Sequence, residues 1–331
     1  VSDYQITWLD DLCRAGRLVW QRLHRGTRNN TEAPARAASP MPNTPIVLLP
    51  RRQRAQWLRL AASQNGTPSI ALTSRAHTLL EWLRQHGAAF FDEMQGGVRL
   101  LRVELEDALA ELVARGTVAS DSYSGLRTLL LPAAKRERQR QRHPRRNALF
   151  GLEDAGRWSP APAPDAATPD ENDIEHLARV LLRRYGVVSW RLVEREAHWL
   201  PPWRLILREL RRLEARGEIR GGRFVQGLSG EQFALPEAIP LLRRLRDEPA
   251  SGELTCVSGA DPLNLSGIII TGPKVPRLAS ARLIYRDGIP LAAQVSGTLE
   301  WLSDEVPDTE RRRVAALLRG ERIDSALLGM A

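Results

Sequence analysis

The hydrophobic and polar positions of this chain repeat one pattern three times. In each copy an apolar-periodic helix closes on glycine and then enters a β-prone run. Glycine closes helices because it adopts the left-handed conformation without steric cost. The copies are Leu9 to Trp20, Leu109 to Ser120 and Leu210 to Gly221. Self-similarity of this kind indicates one supersecondary unit that is used several times.

The flanks of the repeat share a pattern as well. Upstream lies a second apolar-periodic helix closed by glycine, in Leu79 to Phe90 and again in Leu181 to Ser189. Downstream, each copy ends on a short apolar run before proline, which we predict to be a strand. Those runs are Ile46 to Pro50, Thr128 to Pro132 and Gln232 to Pro236.

The resulting order of helix, short helix, longer helix, strand, turn and strand is that of a winged helix, whose third helix is usually presented to the major groove. The first copy contains only a third helix and a wing. We therefore predict an α+β chain of tandem winged-helix modules with a β-rich C-terminal module. Its parts are a truncated module (1–52), a complete module (53–132), a basic and Pro-rich linker (133–172), a second complete module (173–236) and the β-rich module (237–331).

The two complete modules differ in the charge of their third helices. In the second, an apolar stripe from Trp203 to Leu213 leaves arginines outward, which favours phosphate contact, although Glu209 and Glu214 could neutralise a merely solvated face. In the first, Glu104, Asp107 and Glu111 are predicted to be exposed. An acidic surface repels phosphate, so that helix is interpreted as a scaffold or a protein contact.

Tryptophan is unusually frequent, with nine residues against four tyrosines. Trp190, Trp199 and Trp203 surround the turn before the basic third helix, where they either fill the core or stack on a base. Gly156-Arg157-Trp158 is either a docking element or a packed linker. The predicted nucleic-acid contacts are Arg157, Trp158, Trp203, Arg204, Arg208, Arg211, Arg212 and Arg223.

The composition of the chain limits its possible functional classes and its location in the cell. The formal charge of +9 comes from 48 Lys and Arg against 39 Asp and Glu, which suits a nucleic-acid partner but also follows from GC-rich coding. The basic run from Lys135 to Arg146 is a solvated loop or a non-specific attractor of a strand. Cys13 and Cys256 form no disulfide framework, no metal-ligand spacing occurs, and no apolar run could span a bilayer, so we expect a cytoplasmic protein.

Seven further strings of the sequence are informative: Trp8 to Leu23, Gly156 to Ser159, Leu181 to Glu196, Pro201 to Arg204, Leu210 to Ala238, Ala260 to Leu265 and Tyr285 to Ala292. They resemble the C-terminal region of the long helicase-related (Lhr) family of bacterial superfamily 2 DNA helicases. The resemblance implies DNA binding, assembly into homo-oligomers and a helicase core with ATP and Mg before Val1 in the same polypeptide; the missing initiator methionine fits that expectation. No GxxxxGK[ST] phosphate loop occurs in this sequence, so we assign no cofactor to it.

A weaker likeness is to the AlkZ-type winged-helix DNA glycosylases, which Ala260-Asp261-Pro262-Leu263 matches in part. That family positions water with a Gln-x-Gln or Gln-x-Asp pair, and the one such string, Gln139-Arg140-Gln141, lies in the basic run. The likeness implies Asp261, Asp287 or Asp324 as a catalytic aspartate. Each also has a structural interpretation, as a turn residue before Pro262, the first residue of an Asp-Gly turn and a solvated helix end, respectively.

Two functions therefore stay open at the level of sequence. One is a DNA-binding and oligomerising part of an Lhr-type DNA-repair helicase that acts on single-stranded or duplex DNA. The other is a monofunctional DNA glycosylase that excises uracil or a damaged base. A transcription regulator would need a sensor domain, and none is evident.

Overall fold

The computed structural model describes residues 5–23, 46–62, 72–131, 152, 156–162, 169–197, 199–270, 272–303 and 306–320. The chain forms two compact units. The first comprises Val1–Ile174 with Trp199–Pro202, and the second comprises Glu175–His198 with Trp203–Ala331. Both combine short helices with small antiparallel sheets, so the predicted α+β winged-helix class is confirmed.

The first unit contains two short antiparallel sheets among its helices. Strand β1 pairs with β2, and β3 pairs with β4. Its elements are α1 (Thr7–Arg14), β1 (Leu18–Gln21), β2 (Val47–Pro50), α2 (Arg54–Ala62), α3 (Ser74–His86), α4 (Phe91–Val98), α5 (Arg102–Ala114), β3 (Val118–Ser120), α6 (Tyr123–Leu130) and β4 (Trp158–Pro160).

A hydrophobic core of this unit includes buried side chains from Cys13 to Trp158. The buried carboxylate of Asp10 in α1 accepts hydrogen bonds from Ser122 Oγ at 3.0 Å and from the Ser124 backbone N–H at 2.6 Å. Arg127 also donates to it. Residues of the truncated copy and of the first complete copy therefore pack in the same core.

The second wing strand of the first complete copy is not where the sequence predicted it. The apolar run from Thr128 to Pro132 was expected to be a strand, but residues up to Leu130 belong to α6. Ser122 caps this helix by accepting from the Ser124 N–H, and Leu126 and Leu129 face the core at helical spacing. An apolar run this short fits either element, and the cap decides for a helix.

Strand β4 takes the place beside β3 instead. Ser120 is the register partner of Trp158, and Val118 is the partner of Pro160. Trp158 and Leu152 are almost completely buried in the core of the first unit. The predicted linker 133–172 therefore includes residues that belong to the fold of this unit.

The second unit begins as a winged helix. The chain passes into it within α7 (Glu171–Tyr185), and β5 (Val187–Val188), α8 (Trp190–Val193), α9 (Trp203–Ala215), β6 (Arg220–Gly222) and β7 (Gln232–Ala234) follow. Strand β7 pairs antiparallel with both β5 and β6. Gly217 ends α9 with φ +77°, a conformation that disfavours other residues, so the predicted glycine stop is confirmed.

The β-rich module is a four-stranded antiparallel sheet in the order β11-β10-β9-β8. Its elements are α10 (Ala238–Asp247), β8 (Leu254–Ser258), β9 (Arg282–Arg286), β10 (Ile289–Val295), β11 (Thr298–Trp301) and α11 (Asp308–Arg319). Side chains alternate between the faces: Ile284 packs in a cluster with Val314 of α11, whereas Leu283 packs with Val275.

Candidate nucleic-acid interface

The outer surface of α9 carries four arginines. Ile206, Leu210 and Leu213 are fully buried and follow the helical period, which turns the other positions outward. A shallow groove of about 470 Å³ runs along this surface. Its lining residues, which we call the arginine face, are Arg204, Leu207, Arg208, Arg211, Arg212 and Ala215.

Two carboxylates hold three of these arginines. Buried Glu209 accepts from Arg208 Nε at 3.3 Å and from Arg212 Nη1 at 3.1 Å. Arg211 donates to Glu231 through Nε and Nη2, at 3.1 and 2.7 Å. Exposed pairs of this kind contribute about 0–1 kcal/mol, so a phosphate can replace the Glu231 carboxylate at little cost. The ion pairs thus orient these arginine side chains but leave them able to exchange a carboxylate for a phosphate.

Side chains also fix the wing against α9. Glu214 Oε1 accepts from the Gly221 backbone N–H at 3.0 Å, which joins the last turn of α9 to β6. The buried amide of Gln232 accepts two backbone N–H groups of the loop after β6 and donates to two of its carbonyls. Arg223 is exposed in that loop.

The predicted aromatic contacts do not form one site. Trp203 is half-buried at the first residue of α9. Trp199 belongs to the first unit, where it packs edge to face on Trp57 with ring centroids 6.3 Å apart. Trp158 is fully buried, which leaves no ring face for a base. Exposed Arg157 donates to Asp121 at 3.3 Å.

The acidic third helix of the first unit is less exposed than the sequence predicted. Glu104 accepts from the Leu101 backbone N–H and pairs with Arg75. Glu111 was expected to be exposed but is buried, because it accepts hydrogen bonds from Thr73. Of the three acidic residues predicted to be exposed, only Asp107 is exposed.

The catalytic candidates do not converge. Asp287, in the β9–β10 turn, has φ +48° and accepts from Ser251 Oγ at 2.7 Å, which lowers the pKa of its carboxyl. Asp261 Oδ1 accepts from the Leu263 backbone N–H at 2.8 Å in the turn after β8. The Asp261 carboxylate thus stabilises its own turn, whereas the Asp287 carboxylate connects the β9–β10 turn to Ser251 and Gly252 before β8. Asp324 and the Gln139-Arg140-Gln141 string lie outside the described residues.

A second cavity, which the sequence did not reveal, lies within the second unit. Its volume is about 370 Å³. Arg195 and Asn264 line it, and they are 6% and 2% exposed. The other lining residues are Arg191, Glu194, Ser266, Gly267, Ile268, Lys274, Val275, Pro276 and Arg277.

Each of these two buried side chains has one polar atom without a hydrogen-bond partner among the described residues. Arg195 Nη2 donates to the Asp261 carbonyl at 2.7 Å, but Nη1 reaches no acceptor. Asn264 Nδ2 donates to the Gly259 and Val275 carbonyls at 2.8 and 3.2 Å, but Oδ1 receives no donor. Burial, and next the charge of Arg277, lower the pKa of Arg195. The cavity therefore offers a buried donor and a buried acceptor.

Two other kinds of site were sought over the described residues. Among them, no group of three or more His, Cys, Asp or Glu side chains could hold a metal ion. None of the described helices combines the length and the apolarity that crossing a bilayer requires.

Comparison with known proteins places the winged helix of the second unit. Residues 167–254 match the winged-helix domain of the large helicase-related proteins. This segment of the chain is similar to an Lhr winged-helix domain. The match includes α7, α8, α9, the wing and α10, and hence the whole arginine face.

Two curated Lhr proteins resemble the chain over most of its length. The "Lhr helicase/ probable uracil glycosylase" of Mycolicibacterium smegmatis is 29% identical over 91% of this chain and 20% of its own length. The "Lhr helicase/uracil glycosylase" of Escherichia coli K12 is 26% identical over 98% of this chain and 22% of its own length. The chain thus spans about a fifth of each relative. The predicted resemblance to the Lhr family is confirmed, whereas the likeness to AlkZ-type glycosylases is not supported by these matches.

Proposed function

We propose that this chain is the DNA-binding and oligomerising C-terminal part of an Lhr-type ATP-dependent DNA-repair helicase, and that α9 contacts the DNA. The arginine face supports this most directly, because four guanidinium groups share one outward surface of the third winged-helix helix. The length of the relatives supports a helicase core elsewhere in the polypeptide. ATP and magnesium would be bound by that core.

Phosphate contact explains the composition of this face. A guanidinium group binds phosphate oxygens through two parallel N–H groups, and each phosphate that is neutralised releases counterions. Arg204 has no ion-pair partner among the described residues, and Arg211 is tied only to exposed Glu231. These two side chains are therefore the most available for a DNA backbone.

The test is a double variant, Arg204→Ala with Arg211→Ala, in DNA binding measured by fluorescence anisotropy across a salt series. We expect weaker binding to every sequence and a salt slope smaller by about two, because about one unit is lost per phosphate contact. Arg84→Ala is the control, since Arg84 is an exposed helical arginine paired with Glu81 in the first unit. An unchanged slope in the double variant would remove α9 from the interface.

Self-association is proposed to use α10. This helix has no buried residue, and Leu241, Leu242 and Leu245 are 46%, 36% and 56% exposed on one side of it. An apolar stripe at this spacing is stable in water when a second helix covers it. Leu241→Lys with Leu245→Lys should lower the mass measured by light scattering, whereas Arg243→Ala, on the opposite side, should leave it unchanged. Equal masses for all proteins would refute this role.

The alternative function is a monofunctional DNA glycosylase, which the names of both relatives favour. The assay is release of uracil from single-stranded and duplex DNA by this chain. The aspartate beneath the sugar should affect the chemical step and leave DNA affinity nearly intact, because it stabilises a cationic sugar that the ground state lacks. The variants Asp261→Asn, Asp287→Asn and Asp324→Asn test this through their rates of uracil release. Melting curves of the same variants show whether a lower rate comes from a destabilised fold or from loss of a catalytic group. If the unmodified chain releases no uracil, only the proposed DNA-binding function remains.

A further inference from the structure

The cavity lined by Arg195 and Asn264 has a defined hydrogen-bonding polarity. The Asn264 amide cannot turn over without losing both of its bonds to the Gly259 and Val275 carbonyls, so its oxygen stays directed away from them. Arg195 is likewise held by the Asp261 carbonyl. A buried polar atom without a partner is destabilising, and two such atoms in one cavity are better explained by a ligand than by packing.

The charged residues that line the cavity indicate the charge of that ligand. Arg191, Lys274 and Arg277 are exposed residues that line the same cavity as Arg195, and Glu194 is the one acidic residue among its described lining residues. The charge balance therefore favours an anion. The volume of about 370 Å³ is at the small end of the range of roughly 300–1,000 Å³ found for sites that hold one small molecule or one residue of a polymer.

We propose that this cavity, which we call the nucleotide pocket, takes one unpaired nucleotide of a DNA strand. Its phosphate lies at Arg191, Lys274 and Arg277. Its base presents a ring N–H to Asn264 Oδ1 and the adjacent carbonyl oxygen to Arg195 Nη1, as the edges of thymine, uracil and guanine do. The inference rests on the proposed DNA binding and adds to it a site outside the arginine face.

Other ligands satisfy only part of this arrangement. A simple anion such as inorganic phosphate would pair with the cationic side chains. It would not account for the buried amide oxygen of Asn264, which requires a hydrogen-bond donor. A base within a duplex has its ring N–H already paired, so it cannot donate to Asn264 unless it leaves the stack. An unpaired nucleotide supplies the anion, the donor and the acceptor together.

The decisive experiment changes the DNA and leaves the protein intact. Affinities of the whole chain are measured for three duplexes of one sequence: fully paired, with a single unpaired thymine, and with N3-methylthymine as the unpaired base. We expect the unpaired thymine to bind about tenfold more tightly than the paired duplex, the factor for about 1.4 kcal/mol of net hydrogen bonding. The N3-methyl group removes the N–H and should abolish that preference.

Protein variants then locate the preference. Lys274→Gln with Arg277→Gln should bring the affinity for the duplex with an unpaired thymine close to that for the fully paired duplex, because these exposed side chains hold the phosphate. Arg204→Ala with Arg211→Ala should weaken both affinities and keep their ratio, since it removes the arginine face instead. Free dTMP should not compete at concentrations where the unpaired strand does.

The outcomes are separable. If paired and unpaired DNA bind equally, or if the preference survives the N3-methyl group or the Lys274 and Arg277 variant, the nucleotide pocket is refuted while DNA binding by α9 stands. Competition by dTMP at strand concentrations would assign the cavity to a free nucleotide and also overturn the proposal. If the chain binds no DNA at all, the proposed function itself fails.

Discussion

At the scale of single residues, burial separates side chains that the sequence pattern treats alike. Glu104, Asp107 and Glu111 follow one another at helical spacing in α5 and look equivalent in sequence. In the structure Glu111 is 2% exposed, because its carboxylate accepts the backbone N–H of Thr73 at 3.2 Å and its hydroxyl at 2.6 Å. Thr73 is the N-cap of α3. Periodicity alone could not show this, since the partner comes from a different helix.

Replacement of Glu111 by alanine should therefore destabilise the first unit. The change removes the acceptor of the Thr73 N–H and hydroxyl and the carboxylate that pairs with Arg115, and we expect a loss of about 1–3 kcal/mol. Thermal or urea unfolding measures the loss. Asp107→Ala is the matched control on the same helix and should change stability by less than about 0.5 kcal/mol. Equal effects for the two would mean that the Glu111 contacts stabilise nothing.

Tyr185 gives the molecule a dependence on alkaline pH. Its hydroxyl donates to Glu196 Oε1 at 2.6 Å, and burial followed by this hydrogen bond raises its pKa from 10.0 to about 12. Because the folded pKa is the higher one, the stabilisation is present below pH 10 and is lost as pH rises towards 12. Tyr185→Phe should flatten the fall in unfolding free energy across that window. A Phe variant with the same pH profile as the parent would contradict this.

At the scale of elements, local patterns predicted the helices better than the strands. The glycine-closed stretches near Gly16, Gly116 and Gly217 do end helices before strands, since each glycine has a positive φ. Strand partners depend on contacts that are distant in sequence. The run at Thr128 became part of α6, and β3 pairs with Trp158–Pro160 instead.

Strand β4 should accordingly be essential to the first unit. Trp158 is fully buried in its core, and its backbone also exchanges hydrogen bonds with Ala89 at 2.8 and 3.0 Å. Trp158→Ala should cost about 3–5 kcal/mol, as for other large-to-small changes in a core. Phe90→Ala provides a control, because that aromatic ring is 46% exposed in the same unit. Equal melting temperatures for the Trp158 variant and the parent would refute the assignment of β4.

At the scale of the whole molecule, the sequence predicted the kind of module but only part of the candidate site. The arginine face could be predicted because all its members lie on one helix, where spacing alone sets the direction. The nucleotide pocket could not, because Arg195 and Asn264 are far apart in sequence and meet only through the fold. Both residues lie within strings that carry the family resemblance, Arg195 in Leu181 to Glu196 and Asn264 in Ala260 to Leu265, but nothing in the sequence indicates that the two strings meet.

Division into two units leads to a last prediction about where DNA binding resides. The second unit has its own cores, one around Ile206 and Leu210 beneath α9 and two on the faces of the β-rich sheet. It also contains both the arginine face and the nucleotide pocket. A fragment of residues 167–331 should therefore fold and bind DNA with the salt slope of the whole chain, because the slope counts phosphate contacts.

Circular dichroism and anisotropy titrations on that fragment test this directly. The same fragment with Arg204→Ala and Arg211→Ala is the matched control, and its slope should be smaller by about two. A fragment that unfolds would show that the second unit needs the first for stability. A fragment that folds but has a much smaller slope than the whole chain would place phosphate contacts in the first unit, and the arginine face would then be only part of the interface.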